Sequence, residues 1–438
     1  MKPRIFPAIA LLAAFASPTA AALSSAEKKM VATVDASEER DVALLRKLVD
    51  QNSGTRNFAG VRAVAAMMQA ELEPLGFTVR WVPMPQTGRA GHLVATHKGR
   101  GKHIVLIGHM DTVFEKDSPF QKLVRRGSTV EGPGVSDMKG GLVIMISALR
   151  AMKEAGTLKN ADIRIVLSGD EESAGHPVGL ARADMIAAGK WADAALEFEG
   201  LARDHGKDVG SISRRGSITW TLTTTGQTGH SAGIFSKSEG FGANYELARI
   251  IDTFRRELRE PNLTYSVGIM LGGVTATPSA TTEEAVGGSA QGKANIIAGQ
   301  GYATGDIRAL SNQQAARIED KMRAIVADHL PGTGAKISFS EGYPAMAPTA
   351  GSRALLAQLN GINRDLGLEQ MGELDPMKRG AGDIAFVAPH TSGLVGTGAA
   401  GDGAHAAGET ADLTSFPRQA KRAAILMTRL SKQHSAKP

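Results

Sequence analysis

The sequence predicts an α/β fold in which a larger domain is interrupted by a smaller α+β domain. Near residue 210 the pattern changes to strict apolar–polar alternation, which is typical of half-exposed antiparallel strands, and after residue 344 the earlier pattern returns. Before the change, short apolar runs bounded by glycine or acidic residues indicate strands buried on both faces of a sheet, at 104–107, 163–167 and 194–198. We therefore predict a first domain from 23–211 and 341–438, and an inserted domain from 212–340.

Residues 1–22 have the pattern of a secretory signal peptide. Lys2 and Arg4 are basic, 5–15 is mostly apolar, and small residues follow to Ala22. The segment is too short for a membrane span with flanking anchors, although an uncleaved amphipathic or membrane-anchoring start is an alternative. We expect a soluble mature protein that is periplasmic or secreted.

Composition restricts the partners and the metal chemistry. The chain has 438 residues, enough for two or three domains. Its formal net charge of +6 is not concentrated in a basic tract, so we expect neither a nucleic-acid nor a membrane partner. The sequence contains no cysteine, which excludes disulfides and leaves only nitrogen and oxygen ligands for a metal.

The first candidate site lies where the third predicted strand ends. Helical spacing predicts two helices between 43 and 75, and strands follow at 77–82 and 92–95. The run 104–107 then leads into His109 and Asp111, whose i, i+2 spacing projects both side chains from the carboxyl end of the strand, where open α/β sheets bind ligands. A carboxylate often orients a metal-ligating histidine, but a lone strand-end histidine is more often an ordinary polar residue.

Asp137 lies in a glycine-rich loop, 132–141, that precedes an apolar helical run at 142–152. The loop lacks the G-x-x-x-x-G-K-[ST] order of a phosphate cradle. An acid just before a helix is favoured by the helical N–H groups, so a helix cap and a metal ligand are equally good interpretations of Asp137 alone.

Further acids follow the next two predicted strands. The run 163–167 leads to Asp170, Glu171 and Glu172, and the run 194–198 leads to Glu197 and Glu199. Consecutive acids repel one another, so either the loop is exposed or a cation compensates them. Adjacent side chains on a turn diverge, so one glutamate can bind metal while its neighbour faces a reacting water.

The inserted domain has the pattern of an α+β unit. Residues 218–223 alternate as an antiparallel strand, a loop follows at 226–233, and 240–258 forms an amphipathic helix. Strands near 263–270 and 301–310 and a helix at 311–330 complete the prediction.

After residue 344 the chain returns to the first domain. Helices are predicted at 355–366 and 416–430, and a glycine-rich loop between them carries His405. This is the natural candidate for a second imidazole.

These residues suffice for a hydrolytic metal centre if they converge. Two divalent ions about 3.5–4 Å apart would neutralise the acids and make a shared water acidic. Asp137 would bridge the ions, His109 and Glu199 would hold one, and Glu172 and His405 the other. Glu171 would accept the proton of the water and deliver it to the leaving nitrogen. A serine or cysteine nucleophile is disfavoured because G-x-S-x-G and cysteine are both absent.

The same segments resemble a known family. Gly108-His-Met-Asp-Thr-Val, Gly134-Val-Ser-Asp-Met-Lys-Gly-Gly, Ser168-Gly-Asp-Glu-Glu and Glu197-Phe-Glu199 are similar to the co-catalytic zinc exopeptidases that include glutamate carboxypeptidase, aminoacylase, succinyl-diaminopimelate desuccinylase and peptidase T. The resemblance implies a zinc-binding α/β catalytic domain interrupted by a lid domain that usually dimerises. It implies two Zn²⁺ per chain, for which Co²⁺ or Mn²⁺ can substitute. It also implies that Asp137 bridges the ions, that Glu171 is the general base and that Asp111 orients His109.

The resemblance also assigns residues of the lid. It implies that His230 stabilises the oxyanion in the partner protomer of a homodimer, and that Asn295 and Arg308 bind the substrate carboxylate. A guanidinium pairs bidentately with a carboxylate, which suits Arg308 to this role. From the residues alone, His230 is more often an ordinary loop histidine.

Exported glutamate carboxypeptidase is the most similar type, which implies removal of a C-terminal glutamate from peptides, folates or N-acyl glutamates. The chain departs from the family pattern at Gly200, where proline is usual, in Arg379-Gly-Ala-Gly-Asp383, and after His405. An aminoacylase or deacylase of different specificity is therefore the alternative within the family. A periplasmic solute-binding protein is the alternative outside it, but a binder has no reason to bury Glu171 beside Glu172 without a cation. An inactive relative would have lost a ligand, and every ligand is present.

Overall fold

The computed structural model describes residues 23–280, 286–435 and 437. The predicted signal peptide, 1–22, lies outside the described residues. Within the described part, no helix combines the length and apolarity needed to cross a membrane.

The helices predicted from apolar spacing are present, and three further helices, at 25–35, 178–181 and 183–191, were not predicted. An unpredicted first helix begins after Ser24, whose side chain forms a reciprocal capping box with Glu27. In chain order the helices are α1 Ser25–Asp35, α2 Glu38–Asp50, α3 Phe58–Leu72, α4 Lys139–Glu154, α5 Val178–Ala181, α6 Ala183–Trp191, α7 Gly242–Glu257, α8 Asn312–Ala327, α9 Ala350–Asp365 and α10 Ser415–Ser431.

The strands include the predicted ones and several short ones. In chain order they are β1 Thr78–Pro83, β2 Gly91–His97, β3 His103–His109, β4 Val124–Arg126, β5 Thr129–Glu131, β6 Asp162–Ser168, β7 Ala194–Glu197, β8 Arg203–Asp204, β9 Lys207–Gly210, β10 Ile218–Gly226, β11 Thr264–Tyr265, β12 Ile269–Gly273, β13 Thr275–Ala280, β14 Val286–Gln291, β15 Gln300–Arg308, β16 Thr333–Phe339, β17 Gly372–Glu373, β18 Ser392–Val395, β19 Gly401–Asp402 and β20 Thr410–Asp412.

A six-stranded sheet of order β1-β2-β6-β3-β7-β18 forms the centre of the larger unit. Strand β3 is parallel to both β6 and β7, so their carboxyl ends meet at one edge. Ile104 and Leu106 pack into one apolar cluster, and Val105 and Ile107 into another. The sheet is therefore buried on both faces, and its polar strand ends are the place where side chains can converge.

The inserted segment forms a second sheet with its own core. Strand β15 pairs with β10, β11 and β12, β10 also pairs with β16, and every pairing is antiparallel. Buried Trp220 and Leu222 from β10 pack with apolar residues of α7 and α8. The mixed α/β class is thus confirmed, and the boundaries 212–340 stay a prediction that agrees with this sheet.

Three details of the insertion differ from the sequence prediction. The strand expected over 263–270 is two short strands, β11 and β12, which pair with different parts of β15. Strand β16 and the β13–β14 hairpin were not predicted. The hairpin sequence is rich in glycine, alanine, serine and threonine and lacks the apolar alternation from which strands are recognised.

Candidate metal centre

Strand β3 ends at His109, and Asp111 fixes the direction of that imidazole. Nδ1 of His109 lies 3.1 Å from the Asp111 carbonyl oxygen and 3.4 Å from Asp111 Oδ1, so Nε2 points away from Asp111. Asp111 is itself held by Thr55 Oγ1, which donates to Oδ2 at 2.6 Å. The backbone N–H groups of Glu171 and Glu172 donate to the same carboxylate at 3.1 and 3.2 Å. Asp111 therefore links the strand end to the acidic loop after β6.

The first group of metal-ligand atoms gathers at Nε2 of His109. Asp137 Oδ1 lies 3.1 Å and Glu199 Oε1 lies 3.2 Å from this nitrogen. His109 is 1% exposed and Glu199 5%, so these groups are almost entirely removed from water.

The second group gathers at Nε2 of His405. Asp137 Oδ2 lies 3.2 Å and Glu172 Oε2 lies 3.0 Å from this nitrogen. The His405 backbone has φ +65°, an uncommon conformation for a residue with a Cβ. Each oxygen of Asp137 thus faces a different histidine–glutamate pair. Asp137 does not cap α4, because the N-cap residue is Met138 and no described side chain forms a cap hydrogen bond there.

Glu171 borders the first group. Its carboxylate, His109 and Glu199 each place one ligand atom within 4.8 Å of the others, as do His109, Asp137 and Glu172. Burial, together with the negative charge of Glu199, raises the pKa of the Glu171 carboxyl well above its usual range. A raised pKa suits a carboxylate that must accept and return a proton.

The surrounding carboxylates raise the pKa values of His109 and His405. Burial alone would lower the pKa of His109, but its contacts with Asp111, Asp137 and Glu199 raise it well above its usual range. Contacts with Asp137 and Glu172 raise the pKa of His405 to about 11, and burial raises that of Glu172 to about 7. The cluster therefore attracts positive charge, and a cation competes with protons for it.

The donor set fits divalent ions. Imidazole nitrogens and carboxylate oxygens are the ligands of hydrolytic zinc sites. Oε1 of Glu172 is buried and has no hydrogen-bond partner among the described residues. A buried carboxylate oxygen of this kind is costly unless something cationic satisfies it. The residues that would hold one ion are His109, Glu199 and Asp137, and those for the other are Glu172, His405 and Asp137.

Glu409 is a residue of the site that was not predicted from the sequence. This fully buried carboxylate accepts hydrogen bonds from the backbone N–H groups of Gly134, Ser136 and Asp137 at 2.7, 2.8 and 2.9 Å, and from Ser136 Oγ at 2.8 Å. It joins the Asp137 loop to the loop that carries His405. The available signal was an acid four residues after His405 in a glycine-rich loop.

Arg214 was also missed, and it explains one departure from the family pattern. Its Nη1 lies 3.1 Å from Glu197 Oε2 and 3.7 Å from Glu199 Oε2. A Cβ at Gly382 would lie 2.3 Å from the same Nη1. The absence of a side chain at Gly382, in the segment Arg379-Gly-Ala-Gly-Asp383, therefore leaves room for Arg214 beneath Glu199.

The three predicted lid residues lie in the inserted unit. His230 is exposed, its Nδ1 accepts a hydrogen bond from Ala232 N at 3.1 Å, and it forms an isolated β-bridge with Ile296. Ser231 N donates to the Asn295 carbonyl at 2.9 Å, which places Asn295 beside the His230 loop. Arg308 Nε donates to Asp306 Oδ2 at 2.8 Å. These contacts are within the lid, so the roles of the three residues toward substrate stay predictions.

The chain is similar to known proteins over most of its length. Residues 105–429 match the profile described as Peptidase family M20/M25/M40. The chain is 26% identical over 433 residues to carboxypeptidase G2 of Pseudomonas sp. (strain RS-16), covering 95% of this chain and 96% of the relative. It is 34% identical over 202 residues to succinyl-diaminopimelate desuccinylase of Rhodospirillum centenum, covering 44% of this chain and 51% of the relative. The crystal structure of a tripeptidase from Staphylococcus aureus matches with a TM-score of 0.66 at 19% identity, over 90% of this chain and 99% of that one.

Proposed function

Because the chain belongs to peptidase family M20/M25/M40, we propose that it hydrolyses the amide bond to a C-terminal amino acid, with glutamate as the preferred residue. The resemblance found in the sequence is thus confirmed at the level of the family, and the solute-binding alternative loses its support. The similarity to carboxypeptidase G2 over nearly the whole of both chains favours the carboxypeptidase specificity. The similarity to a desuccinylase keeps deacylation of other acyl amino acids as the alternative.

The observation that supports this function most strongly is the position of Asp137. One of its oxygens lies 3.1 Å from His109 Nε2, and the other lies 3.2 Å from His405 Nε2. A carboxylate whose two oxygens face two different imidazoles has the arrangement expected of a ligand shared by two divalent ions. Zinc is the proposed metal because it is a Lewis acid of borderline hardness, which suits mixed imidazole and carboxylate ligation.

When bound, the cations supply Lewis-acid charge that acidifies water and polarises the substrate carbonyl. Glu171 accepts the proton of the attacking water and passes it to the leaving nitrogen, a role consistent with its raised pKa. Asp111 holds His109 in one orientation through Nδ1. Arg308 and Asn295 bind the substrate carboxylate, and His230 from the partner protomer of a homodimer donates to the developing oxyanion.

Export belongs to the same proposal. The basic, apolar and small-residue order of residues 1–22 supports secretion to the periplasm or the medium. A protein without cysteine folds there without disulfide exchange.

The test is hydrolysis of N-acyl glutamates by the purified protein, before and after treatment with a chelator. We expect turnover to disappear on chelation and to return with Zn²⁺. Glu171→Ala should retain the metal and lose turnover by about 10²–10⁴-fold, the contribution of a general base. Glu154→Ala, at an exposed helix position, is the matched control and should leave turnover unchanged. Hydrolysis that survives chelation, or wild-type turnover in Glu171→Ala, would contradict the proposed mechanism.

A further inference from the structure

We propose that a cavity beside the metal centre binds a second carboxylate of the substrate through Arg379. The inference rests on the proposed amide hydrolysis and specifies its substrate class as dicarboxylic. The cavity, here called the Arg379 cavity, has a volume of about 360 Å³. Its walls include Asp137, Glu199, Gly200, Arg203, Lys378 and Arg379.

The Arg379 cavity opens directly from the candidate metal centre. Asp137 and Glu199 belong both to the cavity wall and to the group around His109 Nε2. A substrate whose scissile carbonyl lies at these carboxylates can therefore extend a neighbouring substituent into the cavity. Gly200 adds no side chain to this wall, and the nearest atoms to a Cβ built there, Ala399 O and Ser136 O, lie 3.5 Å away.

Two of the three basic side chains in the cavity wall are already paired. Arg203 Nη2 lies 2.7 Å from Asp412 Oδ2, and Lys378 Nζ lies 2.6 Å from Asp204 Oδ1. Arg379 Nη2 donates to the carbonyl oxygen of Gly200, but its Nε is buried and has no hydrogen-bond partner in the part of the chain that the structure describes. Among the described residues, no carboxylate oxygen lies within 4.0 Å of its guanidinium. The unmatched positive charge of this cavity therefore belongs to Arg379.

The environment of Arg379 disfavours its positive charge when no anion is bound. Burial and the neighbouring Arg214 guanidinium lower the pKa of Arg379, whereas Glu199 and Asp137 oppose this effect. Those two carboxylates are the ones proposed to face cations, so they cannot serve as full counter-charges for Arg379 in the working enzyme. An anionic group of the substrate would supply the missing negative charge.

A carboxylate fits this position better than a neutral polar group. A guanidinium offers a planar fork of donors that matches a carboxylate bidentately. Arg308 of the lid approaches the same segment, because a Cβ at Gly380 would lie 3.8 Å from Arg308 Nη1. The two guanidinium groups therefore suit a substrate with two carboxylates, one for Arg308 and one for Arg379.

The second carboxylate can come from the side chain of the released amino acid or from the acyl group. The experiment measures kcat/KM for two matched pairs, benzoyl-glutamate against benzoyl-glutamine and succinyl-alanine against butanoyl-alanine. We expect the wild type to prefer the acidic member of one pair by at least tenfold, and that pair identifies the source. Arg379→Met should abolish the preference by lowering kcat/KM for the acidic member about 10- to 100-fold, as expected for loss of a charged hydrogen bond.

Arg353→Met is the matched control, because Arg353 is an exposed arginine outside the cavity that pairs with Glu373. It should leave both preferences unchanged. Arg379→Lys keeps the charge without the fork, should retain part of the preference, and serves as the second variant if Arg379→Met does not fold. An equal loss on both members of each pair, or no change in either Arg379 variant, would overturn the proposal.

Calorimetric titration with L-glutamate, L-glutamine, succinate and butanoate separates this inference from the proposed function. If the wild type hydrolyses none of the four substrates, the proposed function fails. Weaker binding of glutamate or succinate to Arg379→Met, with the neutral partner unaffected, would still support the cavity assignment. Equal binding of the charged and neutral probes by the wild type would reject it.

Discussion

At the scale of single residues, the centre depends on carboxylates that hold other groups in place. Asp111 orients His109 and accepts hydrogen bonds from the backbone N–H groups of Glu171 and Glu172. Glu409 performs the corresponding task for Asp137 by accepting three backbone N–H groups around it. Residues that position metal ligands typically affect metal affinity nearly as strongly as the ligands themselves.

We expect Glu409→Ala to weaken metal binding about 10- to 100-fold, the usual effect of removing such a partner. The cause is that the N–H groups of Gly134, Ser136 and Asp137 lose their acceptor, so the Asp137 loop is no longer fixed. Competition with a chromogenic chelator measures the affinity. Glu369→Ala, which removes an exposed glutamate, is the control and should bind metal normally. Unchanged affinity in Glu409→Ala would show that the loop holds its shape without this carboxylate.

The sequence predicted the site residues that follow strands, and also Asp137 and His405 in glycine-rich loops. It missed Glu409 and Arg214, whose roles depend on tertiary packing. His109, Glu171, Glu172 and Glu199 follow apolar runs directly, so the carboxyl edge of a parallel sheet predicts where they meet. Arg214 carries no such signal, because its position beneath Glu199 depends on the absence of a side chain at Gly382. The lid residues His230, Asn295 and Arg308 were assigned only by family resemblance, and their roles still need an experiment.

At the scale of elements, the central sheet and the return from the lid meet beneath Glu171. The segments at 214–217 and 343–346 pair as the chain leaves and re-enters the larger unit. Tyr343 in the second segment donates from its hydroxyl to the Glu171 carbonyl at 3.1 Å. Its oxygen also receives a hydrogen bond from buried Arg182 at 2.5 Å, and Arg182 pairs with Asp170 and Asp383. The connection to the lid is thus tied to the backbone of the proposed base.

We expect Tyr343→Phe to lower kcat about tenfold while KM changes little, because the Glu171 loop loses its support rather than its substrate contacts. The free energy of unfolding should fall by about 1–3 kcal/mol, since Arg182 loses an acceptor in a buried network. Steady-state kinetics and denaturant unfolding measure both effects.

Tyr265→Phe is the matched control for Tyr343→Phe. The Tyr265 hydroxyl donates to the Phe254 carbonyl at 2.8 Å within the lid, so its loss should reduce stability without reducing kcat. If the two variants lose activity to the same extent, the effect of Tyr343→Phe reflects general destabilisation and the coupling to Glu171 is wrong.

Prediction of elements from the sequence succeeded where apolar residues form a continuous run or recur at helical spacing. Strand β3 alternates between two apolar clusters, and α10 buries residues along most of its length. The β13–β14 hairpin and the paired strands β11 and β12 lack that signal, because their residues are largely exposed or only half buried. Their pairing depends on β15 and on neighbouring strands, which a local pattern does not contain.

At the scale of the whole molecule, the larger unit contains the complete candidate metal centre, whereas His230 is exposed on the inserted unit. An exposed lid histidine with a proposed catalytic role is consistent with action across the interface of a homodimer. We expect His230→Ala and His405→Ala homodimers to be inactive. Mixed dimers should regain activity, because one active site would combine an intact metal centre with an intact partner histidine.

Subunit mixing followed by activity measurement tests this arrangement, with native mass spectrometry to verify that mixed dimers form. His434→Ala, which changes a histidine outside the proposed site, should be active without mixing. Verified mixed dimers that stay inactive would exclude a role for His230 across the interface.

The proposed mechanism requires that residues distant in the sequence gather around two divalent ions. Crystals of the purified protein, measured on both sides of the zinc absorption edge, test it most directly. We expect two anomalous peaks per chain, one contacting His109 and Glu199 and the other Glu172 and His405, with Asp137 contacting both. A single peak would contradict the two-ion site. Peaks away from Asp137, together with amide hydrolysis that survives chelation, would also contradict it.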